Sequence, residues 1–80
     1  MRLDKFLKVS RIIKRRTVAN EACEAAHISV NGRQAKASYD VKVGDIIEVT
    51  FGQRTLKVRV LDVREFTAKA DAASLYEVIS

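Results

Sequence analysis

The hydrophobic pattern of the chain changes its period once, near residue 27, and this change limits the folds open to it. Before that point, apolar residues recur at the three- and four-residue spacing of helices; after it, they alternate with polar residues as in β-strands. No linker, repeat or low-complexity tract interrupts the 80 residues. We therefore expect one α+β domain over residues 1–80, with helices packed on a small, mainly antiparallel, twisted sheet.

The first helix is predicted from a short apolar stripe. Leu3, Phe6 and Leu7 have the spacing of one helical face, and Ser10 continues it. Ile12 projects from the opposite side, so the helix should end near Ser10.

A second helix is predicted to begin with Thr17 as its N-cap. Its buried face should contain a valine and three alanines, namely Val18, Ala22, Ala25 and Ala26. Cys23 falls near the edge of that face, and no acid, base and nucleophile accompany it. We expect a buried or half-buried, inert thiol.

Turn residues divide the second part into strands. Asn31-Gly32 after Ile28–Val30 predicts a tight hairpin, and Val43-Gly44-Asp45 predicts a second turn. Apolar residues alternate over 47–51 and again over 56–60, and Gly52-Gln53 should join them as a hairpin. The alanine-rich 67–73 segment predicts a helical turn or loop, followed by a closing strand within 75–79.

Composition excludes several classes of protein. One cysteine permits no internal disulfide, and neither a cleavable leader nor a run of about 20 apolar residues is evident, so we expect a cytoplasmic protein that does not enter membranes. His27 and Cys23 are too few for a zinc site, and no cofactor is expected. A membrane-surface anchor is disfavoured because the apolar stripe stops at Ser10 and tryptophan is absent.

The positive charge is concentrated at one end. Residues 1–16 contain seven of the lysines and arginines and one aspartate, whereas the net charge of the whole chain is only +5. Such a cluster is typical of proteins that bind polyanions. Arginine can hold a phosphate through two hydrogen bonds, so Arg15 and Arg16, beside the start of the second helix, are the strongest candidates.

The order of these features resembles the alpha-L RNA-binding motif, also called the S-four domain. The resemblance is carried by Arg2-Leu3-Asp4-Lys5-Phe6-Leu7, Arg11, Arg15-Arg16-Thr17, Ile28-Ser29-Val30-Asn31-Gly32, Ala35-Lys36 and Val43-Gly44-Asp45. It implies a core motif over residues 1–50 and a C-terminal β extension. Where the family usually has a left-handed glycine after its second helix, this sequence has His27, which we expect to take that conformation at some cost.

Together, the charge and the resemblance imply an RNA-binding surface. Its candidate residues are Arg2, Lys5, Lys8, Arg11, Lys14, Arg15, Arg16, Thr17, Asn20, Asn31 and Lys36. For Lys5, Lys8 and Lys14, a merely solvated helix face is an equal alternative. Asp4 could pair with Lys8 one turn away, which we favour, or orient Arg16 for RNA. Bases could in principle stack on Tyr39, Phe51, Phe66 and Tyr76, but the chain lacks the clustered aromatic platform of single-strand binders, so we expect each of them to pack in the core.

Within the family, the chain is similar to the free-standing RqcP type of bacterial ribosome-associated quality control, and more distantly to the small ribosome-binding heat-shock protein of proteobacteria. This resemblance implies a monomeric, ribosome-associated protein that binds stalled large subunits carrying peptidyl-tRNA, contacts rRNA and tRNA, and supports alanine tailing by an RqcH-type elongation factor. A general factor of ribosome biogenesis is the alternative. An enzyme is not expected, because the catalytic domains found fused to this motif need far more chain.

Overall fold

The computed structural model describes residues 1–79, so that Ser80, the last residue of the predicted domain, lies outside the described residues. Helix α1 spans Leu3–Val9 and α2 spans Arg16–Glu24. The strands are β1 (Ile28–Val30), β2 (Arg33–Gln34), β3 (Ile46–Phe51), β4 (Arg54–Val60) and β5 (Tyr76–Val78), and a 3₁₀ helix at Lys69–Leu75 precedes β5. The predicted α+β class is confirmed. No helix within residues 1–79 is both long and apolar enough to cross a membrane.

The five strands form one antiparallel sheet in the order β2-β1-β3-β4-β5. Asn31 and Gly32, with φ of 53° and 81°, make the predicted hairpin between β1 and β2. In the longest pairing, Val58 on β4 lies opposite Ile47 on β3, and both are fully buried. The hairpin predicted around Gly52-Gln53 is therefore confirmed, and its alternate residues Ile47, Val49, Val58 and Val60 are directed into the core.

Helix α1 covers one face of this sheet through its apolar stripe. Leu3, Phe6 and Leu7 have no exposed surface and belong to the same core as the buried strand residues. The helix ends at Val9 with Ser10 as its C-cap, as predicted. At the other end, the backbone N–H of Leu3 donates to the carbonyl of Tyr39 (2.8 Å), so the loop before β3 satisfies a free amide of the first turn.

The start and the buried face of α2 differ from the prediction. Thr17 lies inside the first turn, and Arg15 is the N-cap residue, since its extended backbone (φ −117°, ψ 131°) precedes the first helical residue. Ala19 and Cys23 are buried, whereas Val18 is 46% exposed. The face of α2 that packs against α1 is therefore offset by one residue from the predicted valine–alanine face.

The end of α2 corrects a second expectation, because the left-handed residue is Ala26 (φ 65°) and not His27. The His27 N–H donates to the Ala22 carbonyl (2.9 Å) and the Ala26 N–H to the Cys23 carbonyl (3.2 Å), the two bonds of a Schellman motif. Ala25 is the C-cap residue, so it and Ala26 lie beyond the last full turn and both are exposed. They could not belong to the buried helical face.

The aromatic residues also divide differently from expectation. Tyr39 and Tyr76 pack partly against the core, as predicted. Phe51 is 49% exposed and Phe66 is 88% exposed, so the prediction of core packing is wrong for both phenylalanines. Phe51 ends β3 at the hairpin, and Phe66 follows β4 in a segment outside the sheet, where neither has a core to enter.

Candidate RNA-binding site

One groove collects most of the N-terminal cations. It has a volume of about 310 Å³ and lies between the α1–α2 region and the segment that follows β4. We call it the basic groove; it is lined by Lys5, Lys8, Val9, Arg11, Lys14 and Arg16 on one side and by Glu65, Phe66 and Thr67 on the other. Five of the predicted RNA-binding residues are thus brought to one place.

The local backbone explains why these cations converge. Lys5 and Lys8 are three residues apart on α1 and so lie on neighbouring positions of one helical surface. Arg11 then adopts a left-handed conformation (φ 62°), which is uncommon for a residue with a side chain and reverses the chain directly after α1. The reversal returns Lys14 and Arg16 to the same groove.

Asp4 is the polar centre beside this groove, and it is only 2% exposed. Arg16 Nε lies 3.4 Å from its Oδ2, and Arg2 Nε lies 3.3 Å from its Oδ1. Asn20 Nδ2 donates to Oδ2 (3.3 Å), and the Lys5 backbone N–H donates to Oδ1 (2.8 Å). One carboxylate therefore connects the start of α1 with the first two turns of α2.

These contacts decide between the two alternatives for Asp4. Lys8 is not among its ion-pair partners in residues 1–79, so the favoured one-turn pair with Lys8 is wrong and the contact with Arg16 is the one formed. The spacing along α1 would allow the pair with Lys8, but the Asp4 side chain points towards α2. A buried carboxylate needs several donors, and the surface of α2 supplies two of them.

The same contacts keep Asp4 ionised. Burial raises its pKa, but the hydrogen bonds from Asn20 and Arg16, the charge of Arg16 and the hydrogen bond from Arg2 together outweigh burial and hold the pKa below its ordinary value. At neutral pH, Asp4 is thus a fixed negative charge around which two guanidinium groups are oriented.

Arg16 is shared by two depressions on the surface. Besides the basic groove, it lines a shallower pocket with Asp4, Thr17, Asn20 and Glu21. It is the first residue of α2, where backbone N–H groups have no partner within the helix, and Arg15 makes no side-chain cap bond in the described structure. The Arg16 side chain remains 46% exposed while held by Asp4, so it can still reach a phosphate.

The remaining predicted residues lie elsewhere. Arg15 lines neither pocket that contains Arg16, and Lys36 lies with Arg33 and Tyr39 in a separate open depression of about 580 Å³. Asn31 is occupied internally: its Nδ2 donates to Asp45 Oδ1 (3.1 Å), and its Oδ1 accepts from the Ile46 N–H (3.0 Å). RNA contacts of all the predicted residues stay predictions.

Asp45 is a buried carboxylate that sequence reasoning treated only as part of a turn. The Tyr39 hydroxyl and the Lys42 N–H both donate to its Oδ2 at 2.9 Å. Burial raises its pKa, but the hydrogen bonds from Lys42, Asn31 and Tyr39 outweigh burial and keep the pKa below its ordinary value. This cluster holds the turn before β3 against the β1–β2 hairpin.

Sequence reasoning also missed the second wall of the basic groove. Glu65 forms an ion pair with Lys5 across 60 positions of the chain, and the Lys5 ammonium lies 5.9 Å from the centre of the Phe66 ring. That ion pair lowers the pKa of Glu65. No periodic pattern in the sequence marks this segment. The one signal that could have indicated the second wall is Phe66, because a phenylalanine outside the core is free to line a groove.

Cys23 behaves as predicted. It is 1% exposed, and burial, followed by the charges of Asp4 and Glu24, raises its pKa to about 11. The thiolate that nucleophilic chemistry requires is therefore scarce at neutral pH. Within residues 1–79, no three histidine, cysteine or acidic side chains are grouped as a metal site would require.

Comparisons with known proteins show the family of the chain. Residues 1–47 match the S4 domain, the S-four domain of the sequence analysis. The chain is 58% identical over 80 residues to the "RQC P-site tRNA stabilizing factor" of Streptococcus pneumoniae, covering all of this chain and 91% of that protein. It is 54% identical over 79 residues to the protein of the same name in Bacillus subtilis, covering 99% of this chain and 92% of that protein.

A solved structure extends the agreement to the fold. The trimeric structure of Vibrio cholerae Heat Shock Protein 15 superposes with a TM-score of 0.91 at 27% identity, covering 100% of this chain and 82% of that one. The predicted resemblances to both groups are thus confirmed. With its two helices, its sheet and more than half of its length matched, the chain belongs to the S4 domain family, alongside the bacterial proteins named RQC P-site tRNA stabilizing factor.

Proposed function

We propose that the protein binds RNA of the large ribosomal subunit through the basic groove and the adjoining Asp4–Arg16 pocket. The observation that carries this proposal is the convergence of five cations on one groove, with Arg16 held in place by a buried carboxylate. A guanidinium group oriented before binding loses less conformational entropy when it grips a phosphate. The surface is thus suited to a folded, phosphate-rich target.

The relatives suggest which target this is. Their name describes stabilisation of P-site tRNA, so we infer that this protein acts in ribosome-associated quality control, on stalled large subunits that still carry peptidyl-tRNA. It would contact rRNA and tRNA at once and support alanine tailing by an RqcH-type elongation factor. In this role, it is a cytoplasmic, monomeric binding protein without catalysis, and residues 1–80 act as one domain with a core at 1–50.

Binding two RNAs together explains how a small domain could select a stalled particle. Each contact alone is weak because the available surface is limited, but joining an rRNA contact to a tRNA contact on one particle increases the apparent affinity. Removal of the tRNA should therefore release most of the protein, whereas a general biogenesis factor would stay on empty subunits.

Cosedimentation tests the proposal directly. Tagged protein is run through gradients with stalled large subunits, before and after puromycin releases the nascent chain from its tRNA. We expect retention to fall after release, and Arg16→Ala to weaken binding roughly 10- to 100-fold, the effect of one lost charge-assisted contact. Unchanged retention on empty subunits, together with recovery of precursor rRNA, would instead support a biogenesis factor.

Arg54→Ala is the matched control. Arg54 begins β4 in the β3–β4 hairpin, lines neither pocket that contains Arg16 and has no ion pair among the described residues. Arg54→Ala removes the same charge as Arg16→Ala. Equal weakening of binding by both variants would therefore show that only net charge matters and would overturn the assignment of the groove as the RNA-binding site.

A further inference from the structure

Phe66 is an aromatic side chain on the rim of the basic groove, with 88% of its surface exposed. The core contains a different phenylalanine, Phe6, which is fully buried. At this exposure, Phe66 makes almost no contribution to packing. An exposed aromatic ring beside several phosphate-binding cations has the composition of a site for a nucleotide, since every base offers a flat face for stacking.

The surroundings of the ring specify how a nucleotide could lie. The Lys5 ammonium lies over the Phe66 ring, 5.9 Å from the ring centre, and 88% of the Phe66 surface is exposed, so the ring is accessible to a ligand. Lys8, Arg11 and the other groove cations are within the same depression of about 310 Å³. A phosphate bound among them would place an attached base within reach of the exposed Phe66 ring.

Two further features of this wall fit a ligand site. Glu65 holds Lys5 through a carboxylate, so an anion already occupies part of the groove in the free protein. The Thr67 hydroxyl is buried without a hydrogen-bond partner in the described part of the chain, which is unusual for a folded protein. Thr67 is thus a lining residue of the groove whose hydroxyl has no partner within the wall.

We propose that the basic groove holds an unpaired nucleotide, with its phosphate among the cations and its base stacked on the exposed ring of Phe66. This inference rests on the proposed RNA-binding function and adds a preference to it. Bases inside a duplex stack on one another and cannot offer a face to a side chain, so Phe66 should distinguish unpaired nucleotides in loops or bulges from regular duplex. The cations alone would bind both.

The absence of tryptophan from the chain allows a direct measurement. Phe66→Trp introduces the single tryptophan of the chain at the proposed stacking position. The probes are a blunt RNA duplex and the same duplex with a bulge of unpaired adenosines. We expect the tryptophan emission to be quenched by the bulged RNA and unchanged by the blunt RNA. Equal responses to both probes would overturn the proposal.

Affinity measurements on three variants separate stacking from simple hydrophobic contact. Phe66→Ala should weaken binding of the bulged RNA roughly 5- to 100-fold, the effect of one lost base–aromatic stack, and leave the blunt duplex unchanged. Phe66→Tyr should retain the preference and Phe66→Leu should lose it, because leucine keeps the bulk without an aromatic face. Binding of the bulged RNA by Phe66→Leu with wild-type affinity would refute stacking and indicate an apolar contact that any bulky side chain can make. All three variants should have the melting temperature of the wild type, since the side chain is exposed.

Arg16→Ala distinguishes this proposal from the proposed function on which it rests. It should weaken binding of both probes, since it removes a phosphate contact that both share. If the wild-type protein binds both probes equally and the tryptophan remains silent, the unpaired-nucleotide proposal fails while the RNA-binding function stands. If the wild-type protein binds neither probe nor stalled subunits, both proposals fail.

Discussion

Replacing Asp4 by asparagine tests whether the buried carboxylate acts on RNA through Arg16. Asparagine keeps the size of the side chain and removes its charge. Removing a negative charge beside a polyanion site should by itself strengthen binding. If Asp4 instead holds Arg16 in its binding position, Asp4→Asn should weaken binding. The two explanations therefore predict changes of opposite sign.

The cost of Asp4→Asn in stability follows from its contacts. Arg2 and Arg16 are 51% and 46% exposed, so each ion pair contributes only about 0–1 kcal/mol. The bonds from Asn20 and the Lys5 N–H lose charge assistance, and an asparagine oxygen can keep one of them. We expect a loss of about 1–2 kcal/mol, which lowers the melting temperature by roughly 5–15 °C for a domain of this size.

The ionisation of Asp4 adds a pH dependence with a defined sign. Its pKa is lower in the folded protein than in the unfolded chain, so its ionised form stabilises the fold fully at neutral pH. That stabilisation disappears as the pH falls through the folded-state pKa. The difference in melting temperature between wild type and Asp4→Asn should therefore shrink in acid.

A double-mutant cycle provides the decisive assay. We expect Asp4→Asn to weaken binding to large subunits about 10-fold in the wild-type background and hardly at all when Arg16 is already alanine. Binding is measured well below the melting temperature of every variant, so that all are folded. Tighter binding by Asp4→Asn, or an equal loss in both backgrounds, would refute the positioning of Arg16 by Asp4.

Three further predictions concern the basic groove. Arg11→Gly should raise the melting temperature by roughly 4–8 °C, since glycine avoids the cost of about 1 kcal/mol at φ 62°. The same variant should weaken RNA binding because a cation is lost. A lower melting temperature in thermal denaturation would contradict the first expectation. Glu65→Gln should free Lys5 and tighten RNA binding in filter assays at low salt, and unchanged affinity would show that the ion pair does not compete with RNA. If five to seven N-terminal cations neutralise phosphates, RNA affinity measured over a salt titration should give a slope of roughly −4 to −6 in log affinity against log salt. A slope near zero would show that these cations do not contact phosphates.

The accuracy of the sequence predictions depended on how local the controlling interactions are. The Asn31-Gly32 hairpin and the end of α1 near Ser10 were predicted correctly, because turn chemistry and a short apolar stripe fix them. The buried face of α2 was not, because Ala25 and Ala26, on which the predicted face depended, lie beyond the end of the helix. Packing against α1 made the choice of Ala19 and Cys23.

The candidate site shows the same division. Charge clustering was sufficient to find Arg16 and the other N-terminal cations, since these residues lie close together in the chain. Asp4 and Glu65 required the tertiary structure: the first contacts residues 12 and 16 positions away, and the second a lysine 60 positions away. No rule of helical spacing reaches such partners.

The two walls of the basic groove come from different parts of the chain. The cations belong to residues 1–47, which match the S4 domain, whereas Glu65, Phe66 and Thr67 lie beyond the match. The same cationic wall could therefore be combined with other C-terminal segments, each closing the groove with its own side chains. Chimaeras that exchange only the residues after β4 between S4 proteins should transfer preferences for RNA shape and leave the cationic wall intact. Replacement of this single segment would then be an evolutionary route to new RNA targets.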